Sequence, residues 1–218
     1  GLGTLGDRGQ GVESVTDTAD LASDRFAWAA DPTTPSTERT VFTTGPLTSD
    51  VRLAGTSSVT VSVKSSQPVA TVSAELVDLG PATVRNAGGE NVATGIENLT
   101  TRSCWGESSA TDSACYLDTV ADLTTVREQV IAVGWTDVGH FASPYFKVPL
   151  NPNTFYPRQL PLSTMDHIVP AGHRLALIIG GTDNFEFFAA TAGPQLTFDL
   201  SGTQVAIPVA PGPHLPTG

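Results

Sequence analysis

The chain has 218 residues, 39% of them hydrophobic, with 22 acidic against 11 basic side chains and a formal net charge of −11. This length accommodates one large all-β domain or two small domains around a substantial core. The charge leaves no basic face to neutralise phosphate, which argues against nucleic acid and an anionic membrane surface as partners, and no stretch reaches the roughly 18 apolar residues of a membrane helix.

Gly1-Leu2-Gly3-Thr4 has neither the basic region nor the apolar stretch of a signal peptide, and Gly1 in place of Met reads as the mark of a chain processed or cut from something longer. Residues 1–37 are rich in Gly, Asp, Thr and Pro, show no periodicity and read as an extended arm or linker. Phe26 and Trp28 are its exceptions; aromatics in a polar arm anchor it onto a folded surface.

From residue 38 to about 210 strand signals follow closely. Val59, Val61 and Val63 alternate with polar residues, as do Val72, Ala74 and Leu76; with the Gln67-Pro68 turn between them, these two runs read as adjacent antiparallel strands. Further strand candidates are Val126–Trp135, Phe146–Leu150, Arg174–Ile179, Phe185–Ala189, Leu196–Leu200 and Val205–Val209. No amphipathic helix of ten or more residues stands out; Thr119–Gln129 comes nearest, but its Thr and β-branched content opposes a helix. Many short strands with turn residues between them indicate a β-sandwich or jelly roll. Residues 211–218 read as a flexible tail.

Cys104 and Cys115 flank a polar stretch across which their side chains can meet. A bridge closing a loop of this size stabilises by about 3 kcal/mol in the chain-entropy model and implies export to an oxidising compartment; the other reading is two free thiols. The low-Lys, Thr- and Ala-rich composition fits a high-GC bacterial source. Two sulfurs without a Cys-x-x-Cys spacing or a nearby His pair make a poor zinc set.

The chemistry-bearing residues do not assemble into a reaction centre. Gly106-Glu107-Ser108-Ser109-Ala110 comes nearest to a nucleophile elbow, but Ser108 lacks the strand-to-helix turn that would present its hydroxyl. His140, His167, His173 and His214 are read as structural, His173 as a hydrogen-bonded residue at a strand entrance. Asp183, Glu186 and Asp199 are read as solvated loop acids, and calcium through Asp78 or Asp183 has no EF-hand-like spacing behind it. No catalytic, cofactor-binding or metal residue is assigned.

Several motifs occur in a telling order. Val41-Phe42-Thr43-Thr44-Gly45-Pro46-Leu47 is followed by Asp50, Leu53-Ala54-Gly55 and the Val59–Val63 strand. Then come Ala74-Glu75-Leu76-Val77-Asp78, Gly134-Trp135, and Asp166-His167 leading to Gly172-His173-Arg174 before an apolar strand. Over residues 38–209 this resembles the C-terminal domain shared by Xaa-Pro dipeptidyl-peptidases, cocaine esterases and α-amino-acid ester hydrolases. The Cys104–Cys115 insertion and the N-terminal arm depart from that pattern and look like features of an exported branch.

The resemblance implies a jelly-roll β-sandwich, galactose-binding-domain-like, with Gly172, His173 and Arg174 as a structural signature. It implies a partner, an α/β-hydrolase domain of the same polypeptide that carries the Ser, Asp and His of the triad, and a peptide substrate at the domain junction. The parent would be a secreted serine peptidase releasing N-terminal Xaa-Pro dipeptides, and this chain a non-catalytic module that buttresses the hydrolase and shapes substrate access. Phe26 and Trp28 would then touch the absent domain. The alternative is a free-standing carbohydrate- or ligand-binding module, which calls for a row of exposed aromatics on one face.

Overall fold

Where apolar and polar residues alternate, each strand presents one face to a common interior. The computed structural model describes residues 1–6, 8–86, 95–186 and 193–216. Its strands are β1 (Leu2–Thr4), β2 (Val12–Thr16), β3 (Arg39–Thr43), β4 (Val51–Ser65), β5 (Thr71–Arg85), β6 (Ile96–Cys104), β7 (Cys115–Ala121), β8 (Leu123–Asp137), β9 (Tyr156–Val169), β10 (Arg174–Gly180) and β11 (Gln195–Ala206), with one short helix, α1 (Arg25–Ala30). One sheet runs β1-β3-β10-β5-β8 and a second β2-β11-β4-β9, while β6 and β7 pair with each other. The chain divides into two compact units, residues 1–80 with 128–218, and residues 81–127.

In the larger unit the two sheets share one core. Val51, Leu53, Val59, Val61 and Val63 of β4 meet Val72, Ala74 and Leu76 of β5, Leu175, Leu177 and Ile179 of β10, and Leu196 and Phe198 of β11. Each Val, Leu, Ile or Phe side chain among them, fully buried, contributes about 1.5–3 kcal/mol of transfer free energy. The expectation of an all-β sandwich is met. A second, smaller cluster lies on the other face of the first sheet, where Trp28 and Ala29 of α1 cover Val41, Val77, Ala176 and Ile178.

Several features differ from the sequence reading. The runs 59–63 and 72–76 are not adjacent: β4 lies between β11 and β9, and β5 between β10 and β8. The Ser65–Ala70 connection, tied by Ser65 Oγ to Val69 O, carries the chain from one sheet to the other. Residues 1–37 are woven in rather than free, since β1 pairs in parallel with β3 and β2 antiparallel with β11. Both are short, mostly exposed edge strands that join through backbone bonds, so side-chain periodicity had nothing to register.

Phe146–Leu150 forms no strand; Val148 N–H donates to Gly139 O and Leu150 N–H to Pro68 O in an irregular connection broken by Pro149. Of the Phe185–Ala189 candidate, Phe185 and Glu186 lie in a turn and the rest falls outside the described residues. Strand β9 went unread because its alternation changes parity. Thr56 of β4 faces Thr164 but Ser58 faces Pro161, so β9 carries one extra residue between them. Leu160 and Leu162 point inward on one side of this bulge, Met165 and Val169 on the other. In the expected tail, Leu215 packs against the main core.

In the smaller unit β6 and β7 run antiparallel from Ile96↔Ala121 to Cys104↔Cys115, and the Cys104–Cys115 disulfide closes the hairpin.

Candidate functional site

The signature residues converge on one buried acid. Asp78, midway along β5 and 0% exposed, accepts from His173 Nδ1 and from His167 Nε2, each at 2.8 Å. His167 belongs to the second sheet and Asp78 to the first, so one carboxylate ties the two layers. Burying a carboxylate costs least when its oxygens are satisfied, and here both are. Gly80 leaves room for this arrangement: a Cβ there would lie 2.2 Å from the His173 ring.

The flanking residues complete the tie. Gly172, at φ +85°, occupies the left-handed region that favours glycine. Its N–H donates to Leu47 O, while Leu47 N–H donates to His173 O and Ala171 N–H to Asp50 Oδ1. Arg174 Nη1 donates to Thr44 O, and Leu175 N–H to Thr44 Oγ1. The Thr44–Leu47 segment and the Gly172–Arg174 turn, more than 120 residues apart in sequence, are therefore two halves of one structural joint. Gly134 serves a similar purpose at the sheet edge, because a Cβ there would lie 2.4 Å from Pro161 O of β9.

The other candidates fall apart spatially. Ser108 Oγ accepts from Ala114 N–H within the disulfide loop. His140 Nδ1 pairs with Ser143 O, Asp199 caps its own turn through Ser201, and His214 is exposed beyond β11. No cluster of His, Cys, Asp and Glu capable of holding a metal is found among the described residues.

Asp183 and Glu186, read as loop acids, instead grip α1. Arg25 Nε lies 2.6 Å from Asp183 Oδ2 and its Nη2 lies 2.7 Å from Glu186 Oε1. The guanidinium also stacks over Phe185, whose ring meets Phe26 edge-on at 5.1 Å. Trp28 is 4% exposed, its ring set against Gly180 and its Nε1–H donating to Ser23 Oγ, so it anchors α1 onto its own sheet instead of facing outward. Phe26, at 54% exposure, does face outward beside Phe185.

These residues border a cavity of about 470 Å³, lined among others by Arg25, Trp28, Glu75, Trp135, Asp183 and Glu186. Glu75 is 2% exposed, and neither of its carboxylate oxygens has a hydrogen-bond partner among the described residues. Burial pushes its carboxyl well above the usual range, Asp183 pushes it further, and Arg25 opposes both. Asp17, across the 182–186 turn, is raised by burial against the hydrogen bonds it accepts from Thr182. The sequence reading missed Glu75 because the outer face of a sandwich strand is ordinarily wet; the six-residue helix that covers it carried no helical signal.

Comparison with known proteins gives a consistent picture. Residues 2–215 match the family described as the X-Pro dipeptidyl-peptidase C-terminal non-catalytic domain. A Streptomyces avermitilis protein provisionally named an Xaa-Pro dipeptidyl-peptidase is 45% identical over 215 residues, covering 97% of this chain and 31% of its own length. A Rhodopirellula baltica protein of the same provisional name is 26% identical over 201 residues, covering 92% and 26% respectively. The chain thus spans about a third of its curated relatives or less. Among solved structures, an α-amino acid ester hydrolase superposes with TM-score 0.59 at 15% identity, covering 92% of this chain and 33% of that one. An aminopeptidase from a marine-sediment Thaumarchaeota archaeon superposes with TM-score 0.59 at 12% identity, covering 94% and 34%. At such identities these two matches establish the shared fold.

Proposed function

The chain belongs to the family of X-Pro dipeptidyl-peptidase C-terminal non-catalytic domains, and from that premise we propose that its role is mechanical: it buttresses an α/β-hydrolase domain of the same polypeptide and shapes the approach of substrate. The parent is a secreted bacterial serine hydrolase that releases N-terminal Xaa-Pro dipeptides, with the peptide bound at the domain junction. The observation that carries this reading is the end-to-end match, residues 2–215, to a family described as non-catalytic. The short share of each relative's length that the chain covers supports it. The His167–Asp78–His173 group supports it as well, since its ring-to-carboxylate bonds join sheets. The Cys104–Cys115 bridge supports an extracellular setting. Phe26 and Phe185 present an exposed aromatic pair suited to an interdomain contact.

The test offers a fluorophosphonate serine probe and Gly-Pro-p-nitroanilide to the 218-residue chain and to the longer polypeptide. The longer polypeptide is expected to take one probe molecule and release p-nitroaniline. The chain alone is expected to do neither and to weigh about 2 Da less than its reduced form. A stoichiometric adduct on the chain would overturn the proposal.

A further inference from the structure

The cavity beside α1 has a chemically unfinished wall. An ionised carboxylate buried without partners costs several kcal/mol, yet Glu75 stands on that wall with both oxygens unpaired among the described residues. Of the nearest cations, Arg25 is engaged and Arg39 only in part, its Nε being buried without a hydrogen-bond partner among the described residues. Arg25 is committed to Asp183 and Glu186, and Arg39 Nη2 donates to the carbonyls of Asp31 and Thr34. The carboxyl groups of Glu75, Asp24, Asp183 and Glu186 stand in this neighbourhood with two guanidinium groups, so acidic side chains outnumber basic ones there. Trp28 and Trp135 supply aromatic surface to the same cavity. Its volume of about 470 Å³ lies within the range of small-molecule sites, roughly 300–1,000 Å³. Carboxylate and indole together are the chemistry that selects organic cations.

We propose that this cavity binds an organic cation, an alkylammonium or guanidinium group, whose N–H groups donate to the Glu75 carboxylate. The inference stands independently of the buttressing role. The cation has two sources, a Lys or Arg side chain from the rest of the polypeptide, or a free small molecule or peptide amino terminus.

Butylammonium, with 1-butanol as its neutral shape control, is titrated into the 218-residue chain at pH 8 and pH 4. Binding is read from amide shifts at Ser73–Leu76, the Trp135 indole resonance and the melting midpoint. Saturable shifts with a raised midpoint at pH 8, a weaker response at pH 4 and none to butanol are expected. Glu75→Gln should weaken binding on the order of tenfold to a hundredfold, the loss of a charged hydrogen bond. Should that variant not fold, the pH contrast and the butanol control in the unaltered chain decide alone. An equal response to butanol, an unchanged affinity in Glu75→Gln, or no saturable response would overturn the proposal; in the last case a water between Glu75 and Arg39 Nε accounts for both buried groups. The longer polypeptide separates the two sources. A persisting butylammonium response there identifies a free cation. A response lost there, with Glu75→Gln now lowering the midpoint, identifies a basic side chain of the same polypeptide.

Discussion

Asp78 and Glu75 lie three residues apart on β5 and meet opposite fates. Asp78 turns inward and is satisfied by two imidazoles; Glu75 turns outward under α1 and finds no hydrogen-bond partner among the described residues. Replacing Asp78 by Ala leaves two ring N–H groups without their acceptor, and should destabilise the chain by about 2–4 kcal/mol in urea unfolding. Glu75→Gln should act in the other direction at neutral pH. Its folded-state affinity for a proton exceeds that of the unfolded chain, so the unaltered protein loses stability as pH rises from near 4.5 through the raised value. The variant should flatten that part of the stability–pH curve and raise the midpoint at pH 8 by a few degrees, following a gain of about 1–2 kcal/mol. A variant curve that keeps the unaltered slope would contradict this assignment. Asp78 and His173 were both legible as motif residues. Their pairing was not, because 95 residues separate them and no local pattern links an inner-face acid to a distant turn.

Among the elements, the Gly172 turn and the disulfide hairpin test different kinds of constraint. Gly172→Ala forces a side chain into left-handed geometry, and should cost about 1–2 kcal/mol without altering the fold; equilibrium unfolding midpoints measure it. The double change Cys104→Ser, Cys115→Ser frees the open end of the β6–β7 pair. Amide exchange over Ile96–Cys104 and Cys115–Ala121 should accelerate, while exchange in the β4 and β10 core amides, in the other compact unit, stays slow. Strands with strict alternation and full burial, β4 and β10, were readable from their residues. The elements that escaped did so for physical reasons. Strand β9 changes parity at its bulge, β1 and β2 are held by backbone bonds at sheet edges, and α1 owes its place to Asp24 capping and to Trp28 over Gly180. The polar stretch around the cysteines proved to be the turn of a paired hairpin, where only the sulfurs had signalled a constraint.

For the molecule as a whole, the exposed Phe26–Phe185 pair is the feature that the proposed role must use. Phe26→Ser with Phe185→Ser should leave the melting midpoint of the 218-residue chain within a few degrees, since both rings are more than half exposed. In the longer polypeptide it should lower the midpoint or loosen the hydrolase domain to proteolysis; an unchanged digestion pattern would place the interdomain contact elsewhere. The topology also carries a consequence for synthesis. Strand β11 is sandwiched between β2 and β4, and Ser14 pairs across to Thr197, 183 residues later. At a ribosomal pace of about 5–20 residues per second, β2 waits roughly 10–40 s for its partner, and β4 spends much of that interval with an open, valine-rich edge. Of the strands described, the last to be made is the one that closes the second sheet. Weakening β11 should therefore show first as lost soluble yield during expression, before any comparable change in the melting of molecules that have already folded.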